Sequence, residues 1–147
     1  MAHVRKLIRD NIETALTGLA TTGSNVYQTR VYPLAEDRLP GIAIFTKSET
    51  TDYATVNPPR TQIRTLVVTV EIYVKGVSNF DDTLDAIAVE VEEALYTDRT
   101  RGGYAKDTRI ISFDADFSGD GDQPVAQATL DVECEYTTLE NNVEAAA

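Results

Sequence analysis

Between residues 126 and 136 the chain alternates with a period of two. Ala126, Ala128, Leu130, Val132, Cys134 and Tyr136 fall on one parity; Gln127, Thr129, Asp131, Glu133 and Glu135 fall on the other. Successive side chains of a strand point to opposite faces, so this pattern demands a sheet with one buried and one wet face. The wet face carries carboxylates. A second alternation runs over Thr61–Lys75, with Leu66, Val68, Val70, Ile72 and Val74 on one face and Thr65, Val67, Thr69, Glu71 and Tyr73 on the other. Fully extended, that stretch spans about 50 Å, against a typical strand of about six residues. The expectation is an arm, built from this strand and the polar stretch before it, that projects past the domain body and needs a partner surface.

Two helical stripes flank these strands. Val4, Leu7, Ile8, Ile12, Ala15, Leu16 and Leu19 recur at helical spacing, and residues 21–25, with Gly23 and Asn25, stop the helix. Phe80, Leu84, Ile87, Val91 and Leu95 form the second stripe after Gly76 breaks the long strand. Ser78 is placed to cap that helix, with Asp81 in the capping-box position and Asp82 at the positive helix end.

Shorter strands are expected at residues 26–32, offset by Pro33, and at 42–45 after a turn at 39–41. Residues 47–60, Thr-rich and closed by Pro58-Pro59, read as a loop longer than ordinary connections. A loop over 100–106 precedes a strand at 108–117, with Ile111, Phe113, Ala115 and Phe117 opposed to Ser112, Asp114 and Asp116; a turn at 118–124 leads into the acidic strand. The order predicts an α+β fold: a mostly antiparallel sheet of about five strands with two helices packed on one face. A single domain is expected over residues 1–139, and 140–147 has little to anchor it, so a disordered tail is expected there.

With a formal charge of −11, the chain lacks the clustered Lys and Arg of a nucleic-acid binder. Residues 1–64 hold eight Lys/Arg and six Asp/Glu, whereas residues 65–147 hold five and eighteen. Such polarity suits head-to-tail self-association, and equally a solvated acidic surface that keeps the protein in solution. The absence of a basic-then-apolar opening or a membrane-length apolar run predicts a soluble protein made in a cytoplasm, with no membrane partner.

Catalytic chemistry is poorly supplied. His3 is the only histidine and lies at a terminus expected to fray, and Cys134 sits on the apolar parity of its strand, a small hydrophobe without a disulfide partner. No Gly-rich phosphate loop, nucleophile elbow or Cys/His metal spacing is present, so neither enzyme activity nor a cofactor is expected. Asp114, Asp116, Ser118, Asp120 and Asp122 around Gly119 imitate the first positions of a calcium loop, but its twelfth position is Val125 rather than a bidentate Glu. A Gly/Asp hairpin turn is the plainer reading; weak divalent-cation binding at Asp120 and Asp122 stays open. The carboxylates of 114–135 lack the pocket that a paired-acid hydrolase needs.

Four segments carry a family likeness: HVRKLIRDNIETALTGL at 3–19, NVYQTRVYP at 25–33, LPGIAIFTKSE at 39–49 and NFDDTLDAIAVEVEEAL at 79–95. With the long strand between them, the chain resembles the tail terminator, or tail-completion, proteins of long-tailed double-stranded DNA bacteriophages. The resemblance implies a small α+β structural protein of the virion, assembled in the host cytoplasm and placed at the head-proximal end of the tail. It implies a homo-hexameric ring that caps the tail tube and offers a surface to the head-completion or connector protein, while DNA passes through without specific binding. No catalytic or cofactor residues follow from it.

On this reading Asp114, Asp116, Asp131, Glu133 and Glu135 are candidates for lining the lumen, where carboxylates repel phosphate. The 47–60 loop would reach a neighbour or the tube. Arg5, Lys6 and Arg9, with Tyr53, Arg60 and Arg64, are candidates for the subunit boundary, the three helix cations serving equally as ordinary solubilising charges. Three other readings stand beside it: a head–tail connector or tail tube protein, a small acidic cytoplasmic binding module, and a divalent-metal hydrolase using residues 114–122.

Overall fold

The structure, a computed structural model, describes residues 2–28, 40–75, 79–118 and 125–147. Chain order is α1 (Val4–Leu16), β1 (Val26–Tyr27), β2 (Gly41–Tyr53), β3 (Thr61–Lys75), α2 (Phe80–Thr97), β4 (Asp107–Ser118) and β5 (Val125–Leu139). The five strands form one sheet in the order β1-β2-β3-β5-β4. Only the β1–β2 pair is parallel; every other neighbouring pair is antiparallel. Helix α1 packs over β1 and β2, and α2 over β3, β5 and β4, which is the expected α+β architecture.

The alternation places the core as read. Leu66, Val68, Val70, Ile72 and Val74 of β3, and the six even-numbered residues from Ala126 to Tyr136 of β5, are all buried. Val4, Ile8, Ile12 and Leu16 supply one stripe from α1, and Leu84, Ile87, Ala88, Val91 and Leu95 supply the other from α2.

Several expectations need correction. His3 does not fray: its Nδ1 accepts the Arg5 backbone N–H at 3.2 Å and caps α1. Helix α1 ends at Leu16, where the Thr17 hydroxyl donates to the Glu13 carbonyl at 2.7 Å. Gly18, at φ +93°, then turns the chain, its N–H donating to the Gly23 carbonyl at 2.8 Å.

The long strand is no free arm. β3 is the central strand, paired with β5 from Thr61↔Leu139 to Lys75↔Val125 and with β2 from Gln62↔Tyr53 to Tyr73↔Gly41. The first half of the expected 47–60 loop is strand as well, because Ser48 to Tyr53 continue the β2–β3 ladder. Threonines there favour extended backbone, and of the polar residues that suggested a loop Glu49 joins a buried polar cluster while its neighbours stay exposed. What extends beyond the paired strands is the hairpin tip, residues 54–60.

Two β-bulges interrupt the ladders, one between Thr46 and Ser48 and one between Ile110 and Ser112. The second makes Ile111 the extra residue and pairs Ile110 with Val132, so Ile111 leaves the face it was expected to share with Phe113.

Asn79 occupies the N-cap position of α2 without a side-chain bond. The expected features at 29–39, Gly76, Ser78 and 119–124 lie outside the described residues, the candidate cation positions Asp120 and Asp122 among them. The C-terminal segment has anchors that the sequence did not reveal. Glu140 N–H donates to the Arg60 carbonyl at 3.0 Å, Val4 N–H to the Val143 carbonyl at 3.0 Å, and Ala147 N–H to the Thr137 carbonyl at 2.8 Å. Among the described residues no helix is long and apolar enough to cross a membrane.

Candidate assembly surfaces

Beyond the apolar core, the helix-covered face of the sheet holds a polar cluster beside the start of α1. Arg64 of β3 donates through Nη1 to Glu49 Oε2 at 2.8 Å, through Nη2 to Gln62 Oε1 at 2.7 Å, and through Nε to Thr138 Oγ1 at 3.1 Å. Arg5 also pairs with Glu49, and the Tyr136 hydroxyl donates to it. Burial, then that bond to Glu49, pushes the Tyr136 phenol above its ordinary range, so it remains a protonated donor.

The candidate boundary cations are thereby placed. Arg5 and Arg64 share Glu49 inside the chain. Lys6 pairs with Asp10 at 2.7 Å, and Arg9 donates to Gln28 Oε1 and to Thr46 Oγ1, each at 2.7 Å. Arg60 pairs with Glu140 at 3.1 Å and lies over the Tyr53 ring, 4.4 Å from its centroid. The structure thus divides the six candidates between the buried cluster, the outer side of α1 and the base of the hairpin tip.

The five candidate lumen carboxylates do share the face opposite the helices: Ser112 is level with Asp131, Asp114 with Thr129 and Asp116 with Gln127. Their environments differ. Asp131 is buried, accepting from Lys47 Nζ at 2.8 Å and Thr69 Oγ1 at 3.0 Å. Arg109 serves Glu133 at 2.6 Å and Glu135 at 3.8 Å. Asp114 and Asp116 are exposed and have no ion-pair partner among the described residues.

Burial alone would raise the Asp131 carboxyl, but the bonds from Lys47 and Thr69 and the Lys47 charge outweigh it and hold it below its usual range. A carboxyl depressed by folding contributes stability above its unfolded value, about 3.9, and that stability is lost as pH falls through the folded value. Asp131→Asn is therefore expected to be less stable than wild type in urea at neutral pH. The difference should shrink when both proteins are unfolded near pH 2.5, roughly below the carboxylate range. A gap of equal size at both pH values would assign the effect to packing instead.

The exposed large apolar side chains fall mainly into two sets. Val89 and Tyr96 of α2 and Ile111, Phe113 and Phe117 of β4 are exposed on two elements that meet at one flank of the sheet, Ile111 lying off the face that holds Phe113, while Tyr53 and Val56 mark the hairpin tip. On the flank, Phe117 stacks on Phe80 with ring centroids 4.8 Å apart, yet remains 45% exposed. An open cleft of about 510 Å³ lies between α2 and β4, lined by Leu95, Tyr96 and Ile110 together with Glu92, Glu93 and Arg99. Strand β4 is the sheet's edge, with no described strand beyond it. Sequence parity located the phenylalanines on one face but could not show that the helix layer leaves them partly uncovered.

Arg101 was also missed. It is fully buried at φ +51°, and its Nη2 donates to the Leu95 carbonyl at 2.6 Å and to the Asp98 carbonyl, closing the end of α2. Its Nε and Nη1 have no hydrogen-bond partner among the described residues.

No family profile matches the chain, and no curated protein matches it. Among solved structures it is similar to a chain described as "Virion of native gene transfer agent (GTA) particle", at 17% identity and a TM-score of 0.42, with 90% of this chain and 92% of that chain covered. A likeness of that degree carries no argument about function.

Proposed function

We propose that this chain is a structural protein of a phage virion, forming a hexameric ring that ends the tail tube and joins it to the head-completion or connector protein. The observation that carries the reading is the uncovered apolar flank of α2 and β4, where aromatic and branched side chains stand open beside a sheet edge. Exposed apolar surface of this kind marks a binding face, and an edge strand left uncovered is a template for association. The resemblance of the segments at 3–19, 25–33, 39–49 and 79–95 to tail terminators supplies the rest. Asp114 and Asp116, exposed and with no ion-pair partner among the described residues, suit a DNA conduit, since they repel phosphate rather than bind it.

Native mass spectrometry across a range of protein concentrations tests the reading. A discrete six-copy species with nothing larger is the expected result. Open-ended polymers would replace it with a tail tube protein. A strict monomer, both alone and with tail tubes added, would overturn ring formation and favour a monomeric binding module.

A further inference from the structure

We propose that protonation of His3 unlatches the first turn of α1 from the C-terminal segment, making the joined ends of the chain an acid-sensitive clasp. The proposal stands on contacts within one copy and does not depend on the ring reading.

A helix start leaves four backbone N–H groups without intrahelical acceptors. In α1 each of them finds one. Lys6 and Leu7 N–H donate to the His3 carbonyl at 2.9 and 3.3 Å. Arg5 N–H donates to His3 Nδ1 at 3.2 Å, and Val4 N–H donates to the Val143 carbonyl at 3.0 Å. The imidazole and the C-terminal segment therefore hold adjacent amides, so a first turn that frays loses both caps.

Nδ1 accepts only while it carries no proton, which leaves the ring proton of neutral His3 on Nε2. Protonation turns Nδ1 into a donor aimed at another donor, the Arg5 N–H. It also sets a positive charge at the positive end of the helix dipole.

The surroundings oppose that charge. Arg5 of α1 and Arg64 of β3 act on the ring as cations. Glu49 of β2 is the carboxylate that acts on it, and both its oxygens are already engaged. Oε2 accepts from Arg5 and Arg64, and Oε1 accepts from the Tyr136 hydroxyl of β5. The C-terminal segment brings Glu144 beside Val143, an exposed residue whose charge salt and water screen. Burial first, then the Arg5 and Arg64 charges, hold the imidazole below its ordinary value, with Glu49 acting the other way.

A base with a lowered folded value stabilises the fold above its unfolded value, about 6.5. That contribution declines as pH falls from about 6.5 toward the folded value, because the unfolded chain takes up the proton first. His3 is the only histidine, so no other imidazole titrates in this range.

Hydrogen–deuterium exchange read by mass spectrometry tests the clasp on the intact chain, at about pH 7.5 and about pH 5.5, on either side of the ordinary histidine value. Labelling times are scaled for the intrinsic exchange rate at each pH. In the wild type, peptides covering the first turn of α1 and residues 140–147 should exchange about threefold faster at the lower pH, while peptides from β3 and β5 keep their protection. His3→Asn keeps an N-cap acceptor that does not titrate, so its two chain ends should be equally protected at both pH values.

Unchanged protection in the wild type would overturn the proposal. An equal rise in exchange in His3→Asn would also overturn it, by assigning the effect to carboxylates such as Glu49. So would a rise confined to the first turn of α1 with residues 140–147 unmoved, because the two ends would then be uncoupled. A rise that spreads through β3 and β5 would replace the clasp with opening of the whole fold.

Discussion

Glu49→Ala should be among the most destabilising single substitutions in this fold, at about 3 kcal/mol, because it leaves a buried guanidinium without its carboxylate. The Glu49 and Arg64 side chains are only 9% and 11% exposed. Removing Glu49 takes away the one anion paired with Arg64 among the described residues and also the acceptor for the Tyr136 hydroxyl. Gln62 and Thr138 remain as neutral acceptors. Urea denaturation would show the loss as a lowered midpoint with an unchanged slope. A companion variant, Glu49→Leu with Arg64→Leu, should recover most of it, since a buried ion pair exchanged for apolar residues of similar volume is often neutral in stability. A Glu49→Ala protein within about 1 kcal/mol of wild type would mean that water already reaches Arg64 and the cluster is not a buried one.

The second large effect separates core from surface at one register position. Leu130 of β5 is level with Phe113 of β4, and the two share a face of the sheet. Leu130 is 1% exposed and Phe113 is 43% exposed. Leu130→Ala should cost about 2–5 kcal/mol, combining lost transfer energy with the cavity left beneath the helices. Phe113→Ala should cost about 1 kcal/mol of folding stability, since roughly half its surface is already in water. The ranking should reverse in assembly. Phe113→Ala is expected to reduce the six-copy species in native spectra, while Leu130→Ala should affect it only as far as the fold is lost. Equal stability losses for the two variants would show that Phe113 is covered and is not part of an open flank.

The regular parts of this fold were readable because burial follows simple periods. Leu66 through Val74 and Ala126 through Tyr136 declare their faces by parity, and Val4, Ile8, Ile12 and Leu16 do so by helical spacing. Residues 47–53 failed that test because β2 there carries polar side chains on both faces. Glu49 looks like a loop carboxylate until the fold brings it to Arg5, 44 positions away, and to Tyr136, 87 positions away. Arg5 and Arg64 looked available for a neighbour for the same reason: no local pattern records a partner that distant.

The acidic strand was legible as a face but not as a field, because the cations that answer it, Lys47 and Arg109, come from β2 and β4. The open flank was half legible. Alternation found Phe113 and Phe117, whereas the extent of helix cover depends on how α2 sits over the sheet, which parity does not encode.

The two bulges lie in one row. Thr46 of β2 is level with Val68 of β3, Val68 with Val132 of β5, and Val132 with Ile110 of β4. An extra residue bends and twists its strand locally. Two such residues in register on either side of a continuous pair put a crease across the sheet from β2 to β4. Beyond the crease, Ser48 to Tyr53 lead to the hairpin tip and carry Glu49; on the other side, Ser112 to Phe117 carry the open aromatic flank. The β3–β5 pair runs unbroken through that row, so the bend falls on the outer strands β2 and β4. A bend in β2 at Thr46 would set the direction in which the hairpin tip leaves the molecule.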